Sequence, residues 1–194
     1  MKHFTEVTLL PNPEVGIHFL WSKVYIQLHL ALVEIKGANS LVPVGVSFAE
    51  YRSDGKHHVL GSKLRVFATD VKTLETLNLK RWFDRLSDYV HVSSIRDVPS
   101  EHGHVAVSRI HAPANAGNLA RRYAKRHGIS LEDALLKYQT YQSKPPIHLP
   151  FIKIRSLSNA ESFTLCIQQS AKLNAQSGFY STYGLSHTST VPHW

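Results

Sequence analysis

Side chains that can move a proton near neutral pH are abundant in this chain, whereas those that hold metals are scattered. There are 13 histidines and 14 acids in 194 residues, and the one adjacent acidic pair, Glu132-Asp133, falls at a helix start. That leaves no two-carboxylate magnesium site and no HExxH zinc motif. The lone Cys166 excludes an internal disulfide and a cysteine-based zinc centre. His57-His58 and His102-x-His104 sit in polar stretches without acidic partners and read as surface residues. Acid–base chemistry remains. Were the substrate RNA, its own 2′-hydroxyl would be the simplest nucleophile, needing only a base such as neutral imidazole. His29 is one candidate, because it flanks the apolar stripe of its helix without joining it. Spacing alone does not single it out.

Charge points to the substrate class. The formal net charge is +8, unevenly placed. Residues 1–98 carry 12 Lys/Arg against 10 Asp/Glu, and residues 99–194 carry 10 against 4. From His102 to Leu131 there is no acid at all. A basic half predicts a polyanionic partner, nucleic acid before membrane. Within it, Arg121, Arg122, Lys125 and Arg126 fall at i, i+1, i+4 and i+5. At roughly 100° per residue they fill an arc of about 140°. Ala116, Leu119, Ala120, Tyr123 and Ala124 fill the opposite side, so one face packs and the other meets phosphates. Arg109 and His111, two apart in extended chain, share a face, and an arginine there can fork onto a guanine. The Gly-and-aromatic run of single-strand readers is missing, which favours structured RNA.

The elements needed to position these groups follow from periodicity. Phe4 to Leu10 reads as a strand stopped by Pro11-Asn12-Pro13. A helix begins within 13–18 and ends at Gly37, with Leu20, Val24, Leu28, Ala31, Leu32 and Ile35 as its stripe. Val44 to Phe48 and Leu64 to Ala68 alternate as strands. Val71 to Leu86 is expected as one amphipathic helix, and Tyr89 to Ile95 as a closing strand. That order is the split βαβ, ferredoxin-like unit. Pro99 to Gly103 reads as a linker, giving an expected boundary between 1–98 and 99–194. Beyond it come extended chain to His111, a helix at 115–128 stopped by Gly128, and a second helix capped by Ser130 and Asp133. The latter is broken at Lys144-Pro145-Pro146. A strand pair, Phe151 to Ser158 and Phe163 to Gln168, follows. The expected class is α+β, a ferredoxin-like domain plus a smaller basic α/β half. With no apolar leader and no apolar run near ~18 residues, a cytoplasmic protein is expected.

Several stretches taken together resemble the type I-F CRISPR repeat-processing endoribonucleases. They are Leu28-His29-x-Ala31-Leu32, Gly45-Val46-Ser47-Phe48, Val107-Ser108-Arg109, the helix from Leu119 to His127, and Leu149-Pro150-Phe151. Arg155-Ser156-x-Ser158, Phe163, Tyr183-Gly184-Leu185-Ser186 and Val191-Pro192 complete the series. The resemblance implies cleavage of a repeat hairpin without metal or other cofactor, leaving a 5′-hydroxyl and a 2′,3′-cyclic phosphate. It implies His29 as the base, Ser156 as the holder of the ribose, and Tyr183 as the group orienting the imidazole. Arg109 resembles the guanine reader, Phe163 the aromatic under the terminal base pair, and Arg155 and Ser158 backbone contacts. Implied partners are the repeat RNA hairpin, kept after cleavage, and other subunits of a type I-F interference complex.

Two departures stand out. The family's glutamine two residues after the arginine is His111 here, and Lys125 and Ala120 replace arginines that are frequent in the basic helix. A non-cleaving hairpin-binding subunit is the alternative reading, and a general RNA chaperone or ribosomal protein a third. His29, Ser156 and Tyr183 occurring together argue against both.

Overall fold

In the strand His3–Leu9 (β1) the alternate residues Thr5, Val7 and Leu9 are all buried, which orients one face of the strand inward. Around it lie Ile17–Glu34 (α1), Gly45–Phe48 (β2), Lys63–Ala68 (β3), Val71–Leu77 (α2) and Val90–Val92 (β4). The sheet order is β2-β3-β1-β4, antiparallel throughout, which is the expected ferredoxin-like arrangement. The computed structural model describes residues 1–111, 115–141, 148–156 and 161–194.

Two helix expectations need correction. α1 stops at Glu34 with Ile35 as its cap, and Gly37 does not adopt the left-handed conformation of a terminator. The helix expected over Val71 to Leu86 breaks at Asn78, whose φ of 43° is left-handed. Asparagine tolerates that region because its short amide bonds locally. Leu79–Trp82 and the 3₁₀ turn Asp84–Leu86 continue the chain in a new direction.

A second antiparallel sheet joins Gly103–Ile110 (β5), Phe151–Arg155 (β6), Ser162–Lys172 (β7) and Val191–His193 (β8) in the order β6-β7-β5-β8. Its inner residues Val105, Val107, Ile152, Ile154, Leu165 and Ile167 enter the same hydrophobic core as α1 and the first sheet. The Gln169 side-chain amide ties the two sheets, accepting from the Phe48 amide at 2.9 Å and donating to the Phe48 carbonyl at 3.0 Å.

The contacts therefore divide the chain elsewhere than at 98/99. One compact unit is Met1–Ile110 with Leu149–Trp194, and the other is His111–His148. Residues that follow Pro99 rejoin the first unit because their strands complete its core. The second unit is a helical hairpin, Ala116–His127 (α3) and Leu131–Lys137 (α4). Asn115 caps α3 by accepting from the Asn118 amide at 2.8 Å, and Gly128 closes it at φ 64°. Ser130 caps α4, accepting from the Asp133 amide at 3.1 Å. Ala120 and Ala134 are the buried residues of the pair. The break expected at 144–146 lies outside the described residues. No helix among the described residues is long and apolar enough to cross a membrane.

Candidate active site

Leu28 is buried and its neighbour His29 is half-buried, because the helical turn carries position 29 to the edge of the packed face of α1. The His29 Nδ1 lies 2.9 Å from the Thr182 carbonyl oxygen. A carbonyl only accepts, so Nδ1 carries the proton, and in the neutral ring the lone pair lies on Nε2. The Tyr183 ring lies flat on the imidazole, centroids 4.2 Å apart and planes 6° from parallel. Together, the bond and the stack fix both the tautomer and the plane of the ring.

The loop that supplies this clamp is fixed in turn. The Gly184 amide donates to the Ser181 carbonyl at 2.8 Å, closing a turn over 181–184. Gly184 sits at φ 72°, and a Cβ there would approach Val46 Cγ1 to 2.7 Å, so glycine is required on two counts. One helical turn before His29, the fully buried Tyr25 donates its hydroxyl to the Tyr183 carbonyl at 3.0 Å. Burial, reinforced by Tyr183, holds the Tyr25 hydroxyl far above the usual phenol range. Burial also raises the Tyr183 phenol, with the Arg109 charge opposing. Neither hydroxyl is a base at neutral pH.

Phe163 of β7 meets Tyr183 edge-on at 6.4 Å and 84°. The Arg109 guanidinium of β5 lies over the Phe163 ring at 5.0 Å. Its Nε is buried and has no hydrogen-bond partner among the described residues. His29, Tyr183, Phe163 and Arg109 thus form one continuous series within the first unit. All four were expected as site residues, Tyr183 and Phe163 only through the family resemblance.

Ser156 follows directly on β6, which ends at Arg155. The His18 ring stacks on Phe151 at 6.4 Å, setting the start of α1 beside the start of β6. The Ser156 amide donates to the Glu161 carbonyl at 2.7 Å.

Arg155, the last residue of β6, is exposed. β5 ends at Ile110, so strand pairing does not set His111 on one face with Arg109; His111 is exposed and belongs to the second unit. Arg121, Arg122, Lys125 and Arg126 are all exposed on α3, while Ala116, Leu119, Ala120, Tyr123 and Ala124 are at least partly buried. Ser158 lies outside the described residues. His57, expected to lack an acidic partner, meets Asp54 Oδ2 at 3.4 Å. Among the described residues no three His, Cys, Asp or Glu side chains group as metal ligands. Tyr25 and Thr182 escaped sequence reasoning. The signal for Tyr25 was its place four residues before His29, on the same side of the helix.

Comparison with known proteins gives the family. Two curated relatives, one from Escherichia coli (strain UTI89 / UPEC) and one from Pseudomonas aeruginosa (strain UCBPP-PA14), are each named CRISPR-associated endonuclease Cas6/Csy4. Each is 32% identical over 193 residues, covering 99% of both chains. A solved structure described as an RAMP protein binding different RNA substrates aligns over 99% of both chains at 11% identity, with a TM-score of 0.37. The model of the CRISPR-associated protein family Cas_Csy4 matches residues 4–194. The chain belongs to the Cas_Csy4 family of CRISPR-associated proteins.

Proposed function

We propose that this protein is a metal-independent endoribonuclease of the cytoplasm that cuts a CRISPR repeat hairpin at its base. The carrying observation is the state of His29, with Nδ1 donating to the Thr182 carbonyl and the ring stacked under Tyr183, which puts the lone pair of the neutral ring on Nε2. The names of the two relatives support nuclease activity. In the proposed reaction Nε2 takes the proton of the 2′-hydroxyl, and the resulting oxygen attacks the adjacent phosphorus. The bond from phosphorus to the 5′-oxygen breaks, and that oxygen takes up a proton. One product ends in a 2′,3′-cyclic phosphate and the other begins with a 5′-hydroxyl. Ser156 holds the ribose in line, Phe163 stacks beneath the last base pair, and Arg109 reads a guanine there. The exposed cations of α3, with Arg155 and Ser158, contact phosphates, and His111 stands at the step next to Arg109. The product hairpin stays bound, which makes the protein a lasting subunit of a type I-F interference complex.

Incubation with a repeat hairpin in EDTA tests this reading. A single cut is expected, leaving a cyclic phosphate, and both His29→Ala and a 2′-deoxyribose at the cut should abolish it while affinity stays within a few fold. Tight binding without any cut would instead identify a hairpin-binding subunit.

A further inference from the structure

α1 holds the Thr182-Tyr183 segment at two consecutive carbonyls, and the mechanism above uses one of them. His29 takes the Thr182 carbonyl at 2.9 Å and Tyr25, four residues earlier, takes the Tyr183 carbonyl at 3.0 Å. Residues four apart on a helix stand one above the other, so the two side chains act on neighbouring peptide units as a two-pronged grip. Tyr25 has no exposed surface and its ring packs beside Phe48 at 6.1 Å, 13° from parallel, which leaves its hydroxyl little freedom. The Tyr183 ring is carried on the gripped segment, and it is this ring that covers the imidazole. Without the hydroxyl, a carbonyl is deprived of its buried donor, and it belongs to the very residue whose ring must stay flat on His29.

We infer that Tyr25 is a positioning residue for His29: its hydroxyl fixes the Tyr183 peptide, and through it both the stack and the Nδ1–H tautomer of the base. The inference rests on the proposed role of His29 for its catalytic meaning, though not for its structural content. A buried tyrosine could instead contribute stability alone. Tyr51 provides the matched comparison, because its hydroxyl also donates to a main-chain carbonyl, that of Ile167, at 3.1 Å, remote from the Thr182-Tyr183 segment in sequence.

The experiment compares the intact protein with Tyr25→Phe and Tyr51→Phe, each checked for melting temperature. Side-chain ¹⁵N shifts of His29 report the tautomer, and single-turnover cleavage with hairpin binding reports function. Tyr25→Phe should mix the two neutral tautomers and slow cleavage about tenfold at unchanged hairpin affinity, since a small displacement of a catalytic group costs rate before binding. Tyr51→Phe should leave the His29 shifts as in the parent protein. If Tyr25→Phe leaves shifts and rate unchanged, or if both variants move them alike, the positioning role is wrong. A parent protein that binds the hairpin and never cuts would sink the proposed function, while the nitrogen shifts would still decide the grip.

Discussion

At the scale of single residues, the site is organised by contact between rings. Tyr183 meets His29 face to face, so its aromatic surface, not its hydroxyl, covers the imidazole. Tyr183→Phe preserves that surface and should cleave within about threefold of the parent protein. Tyr183→Ala removes it, frees the imidazole plane, and should lower the single-turnover rate roughly a hundredfold with affinity nearly intact. Equal reductions in the two variants would assign the role to the hydroxyl instead. His29 and Tyr183 were legible in the sequence through Leu28-His29-x-Ala31-Leu32 and Tyr183-Gly184-Leu185-Ser186. The support beneath them was not. Tyr25 sits among buried residues of α1, where an apolar pattern counts its ring and is silent about its hydroxyl. Thr182 acts through its carbonyl, which every residue possesses.

At the scale of elements, α3 is the clearest case of sequence dictating structure. Its cap, its terminator, its packed face and its four exposed cations all follow from composition and spacing. Elsewhere the local signal failed for identifiable reasons. Apolar spacing runs on from Val71 to Leu86, yet Asn78 turns left-handed and redirects the chain, because Leu77 and Leu79 on either side of it both enter the core. Exposure of the α3 cations also yields a quantitative expectation. Replacing Arg121, Arg122, Lys125 and Arg126 with glutamine keeps helix propensity and removes charge. Binding should then weaken for every hairpin sequence, and the dependence of log K on log salt should flatten by about 0.7–0.9 for each phosphate no longer neutralised. Melting temperature should hold, since these side chains are solvent-facing. A slope identical to that of the parent protein would show that the face meets solvent alone.

At the scale of the whole molecule, the chain visits its main core, leaves it at Ile110 and returns at Leu149. A sequence reading places a boundary at Pro99 because proline and glycine break local structure. Strand pairing between residues 103–110 and 162–172 is non-local, however, and it draws the segment after Pro99 back into the first core. No described residue of 111–148 belongs to that core. Among its described residues the inserted hairpin buries two alanines outright, too little apolar surface to hold a helix pair of this length by itself. The two units should therefore differ sharply in independence. Ile110 and Phe151 both pair with Cys166, from opposite sides of β7, so they stand two strand spacings apart, about 10 Å. A glycine–serine linker of roughly six residues can span that gap in place of His111–His148. The shortened protein should unfold cooperatively and keep the His29 nitrogen shifts of the full chain, because every group of the series from His29 to Arg109 remains. It should lose most hairpin affinity and most of the salt dependence along with the cations of α3. Isolated 111–148 should show little helical circular dichroism. A shortened protein that unfolded without a transition would mean that the inserted hairpin completes the fold, and the division into one self-sufficient unit and one dependent on it would have to be abandoned.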